Sequence, residues 1–241
     1  MSLSLELKKL RRTGYFPAFL LGALLAASFP IINTAARPDT FIHQQLSALD
    51  ILMNSNWQMI AMLNLFFLVI GSCIIYHTEY ADRAMLKMEA LPQRVGNLFA
   101  AKTVILTASL FFVLVVEAAA LAFCACYWFG ADSTFWPQLL KTIGYEFVLF
   151  LPSVVLMMEI SSLCENLWVS LGIGVIGIFI VTMLPSDNFA LSLFPFAMPF
   201  QTLAKTFSDT RATSFLVASG VETLLFSLVE AIILKVRRNL P

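Results

Sequence analysis

Five acidic side chains lie within or beside long apolar stretches of this 241-residue chain: Glu117, Glu146, Glu159, Glu222 and Glu230. A carboxylate is expensive to place in hydrocarbon, so each must face a helix contact, a wet cavity or the headgroup layer. Glu146, Glu159 and Glu230 can be drawn toward a membrane boundary more readily than Glu117 and Glu222. Those two are therefore candidates for lining the path of a cationic substrate. The competing reading makes them structural hydrogen-bonding groups without a transport role.

Little else in the chain could do chemistry. No GxxxxGK[ST], GxSxG or HExxH occurs, so the chain has no P-loop of its own, no nucleophile elbow and no zincin motif. No enzymatic activity is expected. Gly172-Ile-Gly174-Val-Ile-Gly177 fits GxGxxG literally, but a dinucleotide site needs a strand before it and water around the phosphates. Inside an apolar run, three glycines serve better to let a neighbouring helix approach closely. Cys73, Cys124, Cys126 and Cys164 form no CxxC pair and read as small packing residues. His43 and His77 are too few and too far apart for a histidine-based metal site, and no metal is expected.

The elements that must position these residues follow from composition. The chain is 59% hydrophobic and 12% charged, with a mean hydropathy of +0.85. That is too little polar surface for a soluble domain of this size. Runs such as Leu65 to Ile70 and Val104 to Val116 are continuous rather than alternating, which excludes an outer-membrane barrel pattern. The fold class expected is an all-α integral membrane protein, since helices bond every backbone group internally. The apolar windows predict six transmembrane helices at about 16–34, 57–76, 103–126, 139–162, 167–184 and 213–234, in a single membrane domain covering residues 1–241. The charged start lacks a convincing small-residue cleavage site, so the first span is expected to be retained.

Lys and Arg together equal Asp and Glu at 15 each, and nothing in that balance points to nucleic acid. Their distribution is informative. With both termini cytoplasmic, the inner side holds Lys8, Lys9, Arg11, Arg12, Arg83, Lys87, Arg94, Lys102, Lys235, Arg237 and Arg238, against Arg37, Lys141, Lys205 and Arg211 outside. Eleven against four satisfies the positive-inside rule for an even number of spans.

Leu3, Leu7 and Leu10 recur at helical spacing among Lys8, Lys9, Arg11 and Arg12, which predicts an amphipathic elbow helix within residues 1–14, lying in the interface. Outside, Pro38 and Asp39 precede a short helix expected from Phe41 to Met53. Pro185, Pro195 and Pro199 break residues 185–212 into short apolar pieces expected at the outer interface. After the second span, Met85, Met88 and Leu91 mark one helical face with Leu86 alongside, while Glu79, Arg83 and Lys87 sit on others, and Leu91-Pro92 ends the pattern. This amphipathic segment is suited to docking in a groove on a soluble partner. The whole connection, about 77–102, is too short to fold alone, so any nucleotide-hydrolysing domain must come from another chain.

The basic start, the Glu in His77-Thr-Glu79-Tyr80, the Leu91-Pro92 pair and Lys102 entering the third span resemble the membrane subunit of ABC-2 type ABC transporters. Trp57, the Tyr76-His-Thr-Glu79-Tyr80 stretch and Lys87-Met88-Glu89-Ala-Leu91-Pro92 further resemble the lantibiotic-immunity permeases of Gram-positive bacteria. The resemblance implies a multi-pass plasma-membrane permease working with a second permease chain, identical or homologous, and two copies of a cytoplasmic ATPase. ATP and magnesium would bind in that ATPase, and this chain would bind no cofactor. Residues 79–92 would form a coupling helix on the cytoplasmic side, with Glu79, Arg83, Lys87, Met88, Leu91 and Pro92 as the coupling residues. The substrate class implied is a cationic, amphiphilic antimicrobial peptide removed from the membrane. The alternative is an autonomous ion-coupled carrier or channel using Glu117 and Glu222.

Overall fold

The computed structural model describes residues 3–42, 44, 46–81, 95–183, 188–203 and 209–239, and among these every regular element is helical. In chain order they are α1 (Leu3–Leu10), α2 (Tyr15–Ala36), α3 (Pro38–Ile42), α4 (Ala48–Ala81), α5 (Val95–Cys124), α6 (Phe135–Leu163), α7 (Leu167–Met183), α8 (Phe189–Ser192) and α9 (Asp209–Asn239). A π turn, Ala125–Phe129, continues α5, and a 3-10 turn, Met198–Phe200, follows α8. Five helices are long and apolar enough to cross a bilayer: Tyr15–Ala36, Ala48–Tyr80, Leu98–Phe129, Phe135–Leu163 and Thr210–Val236. The sixth expected span, α7, is apolar but has 17 residues, about 25 Å at 1.5 Å per residue, somewhat short of the roughly 30 Å hydrocarbon layer.

Side-chain bonds between helix ends define the direction of the bundle. Lys9 of α1 meets Glu79 near the end of α4, Tyr80 of α4 donates to the carbonyl of Ser162 at the end of α6, and Ser162 donates to Glu230 of α9. All of these lie at one end, here termed the base. Both ends of the described chain therefore reach the base, with α7 rising from it. Exposed Tyr127 and Trp136 ring the opposite end, and exposed Trp168 marks the base side, the aromatic placement of a membrane protein at its two interfaces.

Two boundaries differ from the sequence reading. The second membrane helix begins at Ala48, not near 57, and the short helix before it stops at Ile42. The cause is a cap hidden by hydropathy. Ser47 accepts the Asp50 N–H at 3.1 Å and donates to the Asp50 carboxylate at 2.7 Å, a reciprocal start signal of the capping-box kind. Asn54, Ser55 and Asn56 then interrupt the apolar run without ending the helix, because Asn56 donates to the Leu52 carbonyl and accepts from Asn33. The proline-broken segment also sits deeper than an interfacial loop. Phe196, Met198 and Pro199 are buried. Trp57 donates to the Pro199 carbonyl at 2.8 Å and Ser153 to the Pro195 carbonyl at 2.7 Å, so α4 and α6 satisfy the backbone of this irregular segment, as irregular backbone inside a membrane bundle requires.

The core runs through α2, α4, α5, α6 and α7. The glycines of the GxGxxG run serve as packing surfaces. A Cβ on Gly174 would come within 2.6 Å of Val69 and 3.1 Å of the Met157 sulfur, and one on Gly177 within 2.7 Å of the Phe196 ring, whereas Gly172 faces open space. Nearer the base, Ser161 donates to Ser72 at 3.2 Å and lies 2.9 Å from Ser170, whose hydroxyl accepts from the Cys73 thiol at 3.3 Å. These bonds tie α4, α6 and α7 where small side chains let the backbones approach. In contrast α9 packs chiefly on α6 and leaves Val217, Val221, Leu224, Leu228 and Ile232 exposed.

This packing makes the two glycine positions unequal. Gly172→Ala is expected to hold or raise the thermal midpoint of the purified protein, since alanine improves helix propensity by about 1 kcal/mol. Gly174→Ala is expected to lower it, because β-branched Val69 has little rotameric freedom to move aside. Thermal unfolding of the two variants side by side checks this, and equal midpoints would contradict the packing.

Candidate functional site

At the base, four charged side chains from three helices meet, three of them out of water. The helix of α1 places Glu6 and Lys9 one turn apart, and Lys9 Nζ donates to Glu6 Oε1 at 3.0 Å. The same ammonium donates to Glu79 Oε1 at 3.0 Å across to α4. Lys102, two turns into α5, brings its Nζ to 3.2 Å from that same Glu79 oxygen. Glu6, Glu79 and Lys102 are 2%, 1% and 0% exposed, so the cluster is a buried one with Lys9 at its rim. Glu6 and Glu79 balance Lys9 and Lys102, leaving no net charge to bury.

The surroundings explain how a fully buried lysine is held. Lys102 Nζ stands 4.5 Å from the centroid of the Tyr76 ring, one turn before Glu79 on α4, so the ammonium lies between a carboxylate and an aromatic face. Its contact with Glu79 is an ion pair without an aligned hydrogen bond, and among the described residues Glu79 Oε2 also lacks a hydrogen-bond partner. A buried pair of this kind contributes little net stability over an apolar pair. Removing one partner is costly, because the other charge remains buried.

The turn from α1 into α2 is built for this docking. Thr13 Oγ1 donates to the Leu10 carbonyl at 2.8 Å, and Gly14 at φ 75° reverses the chain in the left-handed region that glycine enters without strain. Leu10 and Tyr15 are buried on either side of the turn, and the Tyr15 hydroxyl donates to Ser109 of α5 at 3.1 Å.

Of the expected coupling residues, Glu79 is at the centre of this cluster, turned into the bundle. Arg83, Lys87, Met88, Leu91 and Pro92 lie outside the described residues. Glu117 is fully buried and accepts a hydrogen bond from Asn64 of α4 at 2.9 Å. Its other oxygen and Asn64 Oδ1 have no hydrogen-bond partner among the described residues. Glu222 is on α9, half-buried, with Oε2 unpartnered among the described residues. The structure does not join these two carboxylates through any hydrogen bond. Sequence reasoning singled out Glu79 and Lys102 separately but missed Glu6. The available signal was its spacing three before Lys9 on the face of Leu10.

Substitution of Lys102 by Met is expected to destabilise the protein by about 3 kcal/mol, with Glu79→Gln alone comparable. The double substitution should recover part of the loss, since it leaves no orphaned charge between α4 and α5. A double-mutant cycle on thermal stability checks the coupling.

Burial works against the Lys9 ammonium, but its hydrogen bonds to Glu6 and Glu79 and their negative charges outweigh that and hold its pKa above the usual 10.5. A pKa raised on folding contributes stability that is complete below the unfolded value and lost as pH rises through the folded one. Wild type should therefore lose, above pH 10.5, a stability component that Lys9→Met lacks at every pH. Parallel thermal melts of the two proteins from pH 8 to 11.5 would show the curves converging.

Comparison with known sequences adds the last element. Neither curated proteins nor solved structures give a match. A family model described as ABC-2 family transporter protein matches residues 2–181, which takes in α1, the ion cluster and the helices through most of α7. The chain belongs to the ABC-2 family of transporter proteins.

Proposed function

We propose that this chain is the permease subunit of an ABC exporter that removes a lantibiotic or another antimicrobial peptide from the plasma membrane of a Gram-positive bacterium. Two copies of a separate ATPase supply the energy, binding ATP and magnesium. A second permease chain, identical or homologous, completes the pathway. Short α7 acts as the sixth crossing, and both termini are cytoplasmic. The meeting of both chain ends at the base, where the basic residues concentrate, supports that orientation.

The observation that carries the reading is the ion cluster in an ABC-2 family chain. Glu79 and Lys102 flank the connection 82–94 from its two sides, and Lys9 fixes α1 to them. A push on that connection from a soluble motor would therefore be felt by α1, α4 and α5 together. In this scheme Glu79 is a positioning residue inside the bundle, while Arg83, Lys87, Met88, Leu91 and Pro92 supply the ATPase contact. The amphiphilic peptide is the proposed cargo because Trp57, the Tyr76-His-Thr-Glu79-Tyr80 stretch and the Leu91-Pro92 run resemble those of lantibiotic-immunity permeases.

Co-expression with an ABC ATPase from the same genome tests this. The two are expected to co-purify. Arg83→Glu with Lys87→Glu should lower substrate-stimulated ATP hydrolysis and peptide protection at least ~10-fold, within the usual range of coupling energies, without preventing membrane insertion. Full coupled activity in that variant would overturn the coupling assignment. Transport by the purified chain alone under a proton or sodium gradient would support the ion-coupled reading through Glu117 and Glu222.

A further inference from the structure

The ion cluster uses one of the four cations in the amino-terminal segment and leaves three. Lys8, Arg11 and Arg12 are exposed, and none of them takes part in the ion pairs of Glu6 or Glu79. Arg11 N–H bonds to the Leu7 carbonyl and Arg12 N–H to Lys9, so the helical winding of α1 continues through them. On that winding, positions 8, 11 and 12 form one stripe, while Glu6, Lys9 and Leu10 face the opposite way, into the bundle. The segment thus presents a neutralised inner face and a tricationic outer one.

Covalent geometry fixes the height of that outer face. Only residues 11–14 separate α1 from α2, which enters the membrane at Tyr15, a reach of at most about 14 Å even if fully extended. Buried Tyr15 and Leu10 hold the turn closer still. Exposed Leu3 lies to one side of the cationic stripe, offering an apolar edge where acyl chains begin. Lipid phosphates occupy this layer, and two guanidinium forks beside an ammonium match phosphate oxygens.

We propose that Lys8, Arg11 and Arg12 form a binding site for anionic phospholipid headgroups on the outer face of α1. The site does not depend on the exporter reading. It assigns the surplus charge of the segment to the membrane surface rather than to an acidic soluble partner, because the link to α2 holds the stripe level with the headgroups.

The test uses the full-length purified chain with phosphatidylglycerol, phosphatidylcholine of the same acyl chains, or inorganic phosphate. Retained lipid is read by native mass spectrometry and stability by the thermal midpoint. Wild type is expected to retain phosphatidylglycerol over phosphatidylcholine by at least ~10-fold and to be stabilised only by the former, given the attraction each basic residue contributes near an anionic surface. The variant K8Q/R11Q/R12Q should bring the ratio close to one. K141Q/R211Q, which removes exposed cations at the far end, should leave it unchanged. If the triple variant elutes aggregated, Arg11→Gln and Arg12→Gln measured singly should each lower the ratio. Equal retention of both lipids by wild type, or a preference that survives loss of all three cations, would overturn the proposal. So would equal stabilisation by inorganic phosphate.

Discussion

A lysine with no exposed surface can persist in a membrane bundle only if its charge is met, and the contact of Lys102 with Glu79 is the constraint around which the base of this protein is arranged. Because α4 supplies the carboxylate and α5 the ammonium, the two helices cannot slide past one another without separating the buried charges. Lys9 adds the third element, closing α1 over the pair and bringing Glu6 with it. The left-handed turn at Gly14 joins α1 to α2 where Lys9 reaches Glu79. The Tyr76 ring, its centroid 4.5 Å from the ammonium, adds an aromatic face to its surroundings.

The other polar groups of the bundle obey the same rule at lower cost. Asn64 with Glu117, Asn33 with Asn56, and the hydroxyl and thiol group around Ser161 each join neighbouring helices by hydrogen bonds between side chains. Away from these links, close contact replaces polarity, as where Gly174 receives Val69 and Gly177 receives Phe196. The irregular segment after α7 is admitted to the bundle because Trp57 and Ser153 accommodate its proline-flanked carbonyls. By contrast α9 packs chiefly on α6, with a smaller contact to α5, and presents apolar side chains outward.

Much of this was legible in the sequence. Continuous apolar runs marked the membrane helices, the spacing of Leu3, Leu7 and Leu10 marked α1, and the glycine run was read as a packing surface. The start of α4 was not legible from hydropathy, because Asn54, Ser55 and Asn56 resemble a loop until their bonds along and between helices are seen. Nor was the depth of residues 195–199, which depends on donors from helices far away in sequence. The site was half visible. Glu79 and Lys102 were each noticed, but their pairing spans a connection whose geometry no local pattern encodes, and Glu79 was expected to face a partner rather than Lys102. Glu6, an acidic residue among lysines and arginines, gave no sign of burial beyond its spacing from Lys9.

The central claim is that α1 is held to the bundle by the buried carboxylate of Glu79. Hydrogen exchange of the α1 amides in the full-length protein, compared between wild type and Glu79→Gln, tests it most directly. The account predicts that residues 6–13 exchange at least ~10-fold faster in the variant, the change expected when about 1.4 kcal/mol of docking energy is lost, while the middle of α5 is unaffected. Unchanged protection of α1 in a folded Glu79→Gln protein would contradict it.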